Sequence, residues 1–154
     1  MKHATPQRTG RALISKPRVF SAVFVIGVTV NYVWEVAQAP LFAGLTPGNI
    51  WWHCFVASLG DGVILLLILV IGWCVHRRLE WFMKPGVSGY AVMAVSGLLI
   101  ATLIEWLAVH VAQRWSYTAA MPTFPVLDIG LVPVAQMLLL PPLIFRLARR
   151  WAAR

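Results

Sequence analysis

The chain has 154 residues, 60% of them hydrophobic and only 12% charged, with a formal net charge of +8. Soluble domains sit nearer half apolar and a quarter charged. The composition therefore excludes an ordinary soluble globule and, by the same token, a disordered chain. One domain suits the length, and an integral membrane protein is the class that remains.

In chain order, residues 1–18 form a basic tail carrying Lys2, Arg8, Arg11, Lys16 and Arg18. Four apolar stretches follow, 19–39, 55–75, 90–110 and 126–145, each near the roughly 20 residues that a spanning helix needs. A basic tail at 147–154 closes the chain. The reading is thus all-α: a polytopic four-helix transmembrane bundle over 19–146. Twelve of the thirteen Lys and Arg residues flank one side of these spans, and Arg114 alone falls on the other. By the positive-inside rule both termini are expected in the cytoplasm, with the protein multi-pass in an inner (cytoplasmic) membrane. Trp34, Trp51, Trp52, Trp106, Trp115 and Tyr117 are expected near the outer interface. Trp73, Trp81, Tyr90 and Trp151 are expected near the inner one, as suits amphipathic rings. Ala37-Gln38-Ala39 resembles a signal cleavage site, but Pro40 would follow the cut and the apolar run is long, so the first segment is read as a span. Pro133, inside the fourth stretch, is expected to interrupt or kink it.

The basic residues lie in blocks beside apolar runs and not along an amphipathic stripe, so nucleic acid is not an expected partner. Cys54 and Cys74, twenty residues apart on one helix, would be separated by about 30 Å and cannot bridge each other.

Four of the five acids fall within the expected spans: Glu35, Asp61, Glu105 and Asp128. Glu80 sits in a loop beside Arg77 and Arg78. Counted from each span's midpoint, Glu35, Asp61 and Glu105 share one layer roughly 6 to 9 Å toward the outer face. Asp128 lies nearer that interface, with His53, His110 and Gln113. Gly27, Asn31, Glu35 and Gln38 share one helix face, and Gly97, Ala101 and Glu105 another. Asp61 lies between Gly60 and Gly62. Small residues mark surfaces where membrane helices meet, so these acids are expected to face the bundle. No Lys or Arg lies at their depth. The carboxyls must then be protonated, hydrogen-bonded to Asn31, Gln38 or Gln136, paired with His53 or His110, or bound to a cation.

The site expected from this pattern comprises Glu35, Glu105 and Asp61 as acid/base groups or ligands. Asn31, Gln38, His53, His110, Arg114 and Asp128 are the surrounding binding residues. Such a site could bind a lipophilic ligand or a cation and do acid/base chemistry on it. A divalent metal fits a mixed carboxylate and imidazole set, although no Glu-x-x-His pair is present. Two other readings stand beside it: an accessory subunit of a larger membrane complex, docking through small-residue stripes such as 58–62, and a proton- or cation-coupled transporter. The segments Asn31-Tyr32-Val33-Trp34-Glu35, Trp115-Ser116-Tyr117 and Met121-Pro122 concentrate costly residue types at the same membrane face.

Overall fold

The computed structural model describes residues 15–152. Lys2, Arg8, Arg11 and Arg154, which contribute to the two basic tails, lie outside the described residues. The rest is a bundle of four long helices: α1 (Lys16–Gln38), α2 (Ile50–His76), α3 (Gly86–Trp106) and α4 (Leu131–Ala152). All four are long and apolar enough to cross a membrane. The protein is an all-α, four-helix membrane protein.

Neighbours in sequence are neighbours in space, α1 on α2, α2 on α3 and α3 on α4, and α4 closes the ring on α1. The Arg18 guanidinium donates to the Trp151 carbonyl and Arg149 to the Met83 carbonyl, so the two described chain ends meet the α2–α3 connection at one end of the bundle. At the opposite, distal end an antiparallel bridge joins Phe42 to Tyr117, tying the α1–α2 connection to the α3–α4 connection.

The helices overrun the apolar stretches. α1 starts at Lys16, with Pro17 in its first turn, where a missing N–H costs nothing. α4 runs on through Arg146, Arg149 and Arg150 to Ala152. Arginine is a good helix former, and its charged head can reach past the apolar layer. α2 stops where Arg77 adopts φ 58 and its N–H returns to the Trp73 carbonyl, a left-handed helix end.

Two expectations for the fourth span are corrected. Residues 126–130 are not helical. Thr123–Phe124 pairs antiparallel with Ile129–Gly130 in a small hairpin, turned by Asp128 at φ 49. Pro133 does not interrupt α4, because it falls in the first turn, where the lost N–H has no intrahelical partner in any case. The interior prolines are Pro141 and Pro142. Pro141 cannot donate to the Met137 carbonyl one turn earlier. That carbonyl instead faces Gly97 of α3: a Cβ there would lie 2.2 Å from the Met137 oxygen. A glycine is what admits a freed carbonyl at this helix crossing.

Glycines are consumed in the same way elsewhere. A Cβ at Gly27 would meet Leu65 at 2.5 Å, and one at Gly62 would meet Val28 at 2.8 Å, so α1 and α2 approach closely through both. Trp81 enters the bundle from a short 3₁₀ turn (Leu79–Met83) and fills the space left by Gly72 and Gly89. It is 1% exposed and its indole N–H donates to the Leu69 carbonyl. Trp81 is therefore a core residue and not the interface anchor expected from its position. Its loop is pulled inward because the N–H finds a partner there.

Candidate functional site

The distal half of the bundle contains a polar network built from three helices. Asn31, Trp34, Glu35 and Gln38 come from α1, Asp61 from α2 and Gln136 from α4. The α1 residues share a face because their spacing follows the helix period. Gln136 joins them because α4 starts five residues later than the apolar pattern suggests, which brings its sixth residue into the acidic layer.

The donors run in one direction. The Trp34 indole N–H donates to Gln38 Oε1 at 3.2 Å. Gln38 Nε2 donates to Glu35 Oε1 at 2.8 Å and to Gln136 Oε1 at 3.1 Å. Gln136 Nε2 donates to Asn31 Oδ1 at 2.8 Å and to Asp61 Oδ2 at 2.9 Å. Asn31 Nδ2 closes the series on the Gly27 carbonyl at 2.8 Å. Both hydrogens of each glutamine amide are spent on acceptors, which sets the orientation of both amides. Among the described residues, His76 Nε2 is the single buried side-chain polar atom without a partner, so every buried polar atom of this network is paired.

Glu35 and Asp61 are joined through the two amides: Gln38 donates to both Glu35 and Gln136, and Gln136 donates to Asp61. Each accepts one amide hydrogen bond, and the donors around them are amides, not Lys or Arg. Glu35 Oε2 and Asp61 Oδ1 receive no donor from the described residues. Both side chains are half-buried, whereas Asn31, Gln38 and Gln136 are buried.

Glu105 belongs to a second, adjoining group. It is 6% exposed and accepts a hydrogen bond from the Tyr117 hydroxyl through Oε2. The Trp115 indole N–H approaches the same oxygen at 3.4 Å. Both donors come from the connection after α3, which is held over the distal end by Ala43 N–H to the Ser116 carbonyl and Thr118 N–H to the Leu41 carbonyl, each 2.9 Å. Phe42 packs against both rings. Burial, and then the bond to Glu105, push the Tyr117 phenol above the usual tyrosine range, so it stays a donor. Glu105 shares no direct hydrogen bond with Glu35 or Asp61; its side-chain partners are Tyr117 and Trp115.

The remaining expected residues lie apart. His53 is exposed in the first turn of α2. His110 is exposed in a π-helical turn (Leu107–Val111) that ends α3, and its Nε2 lies 2.9 Å from the Leu127 carbonyl. Arg114 is exposed beyond that turn, and Asp128 is exposed in the hairpin, outside any spanning helix. The π turn rotates His110 and Arg114 relative to a regular α-helix, and the late start of α4 strands Asp128. Neither histidine pairs with an acid; the amides take that role. Among the described residues, no three of His, Cys, Asp or Glu come together as a set that could hold a metal ion.

The sequence points to Gln136, the central member of the network, only as one of three amides that could bond the acids. The sequence places Trp34, Trp115 and Tyr117 as interface aromatics, and in the structure all three donate to the polar groups. Their density of costly side chains at one membrane face was the available signal. No protein-family model, no curated protein and no solved structure matches this chain.

Proposed function

We propose that the Glu35–Asp61 pair is a proton-binding acid/base site serving a lipophilic ligand that reaches it from the bilayer. The observation that carries this reading is that two carboxyl groups at membrane depth are joined through the Gln38 and Gln136 amides, with no Lys or Arg among the described residues bonded to either. Two adjacent carboxylates in such a place repel and are poorly solvated. A proton shared by Glu35 and Asp61 relieves both costs and leaves one group able to give it up and the other to take it. The half-buried state of both carboxyls supports access from the side of the bundle. Glu105, held by Tyr117 and Trp115, lies between this pair and the distal connections and supports exchange of the proton with that face. With both termini in the cytoplasm of an inner membrane, as the distribution of basic residues favours, the distal face is the outer one.

The test is a proton-count titration of the detergent-solubilised protein beside Glu35→Gln and Asp61→Asn, read together with tryptophan fluorescence, in which Trp34→Phe identifies the contribution of Trp34 among the eight tryptophans. The expected result is that the wild-type protein takes up one proton in the neutral range that neither variant takes up, with a fluorescence change that both variants lose, because Trp34 donates to Gln38, which donates to Glu35. Superimposable proton counts for the three proteins would overturn the reading.

A further inference from the structure

We infer that the cleft at the terminal end of the bundle, between the start of α3 and the end of α4, binds the phosphate and adjoining acyl chain of an anionic phospholipid. Met93 and Phe145 form a buried apolar floor, Tyr90 and Pro85 one wall, and Arg146 and Arg149 the rim. The cleft has a volume of about 100 Å³. That is far below the roughly 300 Å³ at which pockets enclosing a whole small molecule begin. It suits a ligand of which only part enters while the rest stays in the bilayer.

The charges select the occupant. Arg149 spends Nη1 on the Met83 carbonyl at 3.0 Å, which fixes its guanidinium at the rim with other N–H groups free to point elsewhere. Arg146, one turn earlier, is exposed. Two guanidiniums a turn apart, level with the end of a spanning helix, present planar donors at the depth of lipid phosphates. Lys84 lies in the adjoining connection, and Glu80 is the one acid at this end among the described residues. Basic pockets between spanning helices are the usual places for anionic headgroups. Here the apolar floor beside the guanidiniums supplies what a free phosphate would not use. This site is at the opposite end of the bundle from the carboxyl pair and stands independently of it.

The experiment is native mass spectrometry of the protein released from micelles containing equal phosphatidylglycerol and phosphatidylcholine, for wild type, Arg146→Gln and Arg78→Gln. One retained phosphatidylglycerol is expected on wild type and on Arg78→Gln, with about fivefold weaker retention on Arg146→Gln. Equal retention of the two lipids, or equal losses in the two variants, would overturn the inference by showing nonspecific adhesion or diffuse charge. Displacement of the lipid by inorganic phosphate would also overturn it, by showing a free-anion site. Should Arg146→Gln lose helicity, the thermal midpoint of the wild-type protein decides: phosphatidylglycerol must raise it and phosphatidylcholine must not.

Discussion

The two halves of the bundle are held by different physics. The terminal half and the middle rely on shape: Trp81 in the space left by Gly72 and Gly89, and the Met137 carbonyl against Gly97. The distal half relies on directed hydrogen bonds, with Gln136 linking α4 to α1 and α2 at once. In a bilayer the hydrophobic effect does little to bring helices together, so close packing and interhelical hydrogen bonds must do it. In this chain shape dominates toward the terminal end and hydrogen bonds toward the distal end, and the two meet at mid-depth, where Gly62 adjoins Asp61 and Met137 adjoins Gln136. Close packing tolerates no added atom, whereas a polar network tolerates changed volume better than lost donors.

The largest expected effect tests the shape-held region. Gly97→Ala places a methyl 2.2 Å from a backbone oxygen that cannot rotate away, and a loss of about 3 kcal/mol is expected in reversible unfolding. Gly72→Ala should cost a comparable amount against the Trp81 ring, and Trp81→Phe should restore part of it in a double-mutant cycle. Strictly additive losses would show that Gly72 is not a clearance for that ring. Next comes the distal network. Gln136→Met keeps the volume but removes three hydrogen bonds, leaving Asn31, Gln38 and Asp61 each short of a partner, for about 2 kcal/mol. If unfolding is unchanged, the network does not hold the helices together and the contrast between the halves fails. Trp81→Phe alone loses the bond to the Leu69 carbonyl and some contact area, about 1 kcal/mol.

The smallest effect is at the distal connection. The Tyr117 phenol is raised above the usual value near 10. Its neutral, bonded form therefore contributes stability at every pH below that ordinary value, and the contribution is lost only as pH climbs through the raised one. In an alkaline absorbance titration, one tyrosine fewer should ionise in the ordinary range than in the unfolded chain, and Tyr117→Phe should abolish that difference. A full complement ionising normally would mean that Tyr117 is not held on Glu105.

Much of this molecule is legible without coordinates, and the reasons are local. Four apolar runs of bilayer length require four helices, because backbone groups in hydrocarbon must be bonded within their own segment. The shared face of Asn31, Glu35 and Gln38 follows from helix period alone, and so does the common depth of Glu35, Asp61 and Glu105. The rest depends on register between helices. Glu35 and Asp61 come onto one network because Gly27 and Gly62 let α1 and α2 approach closely and the Gln38 and Gln136 amides join them. Gln136 reaches Asn31, 105 residues away in sequence, because the 123–130 hairpin delays the start of α4. Glu105 is turned to Tyr117 because the two distal connections pair with each other. Hydropathy and periodicity place a residue at a depth and on a face. Which polar group it then meets is decided by clearances of an ångström or two between separate helices, and those exist only once all four are packed.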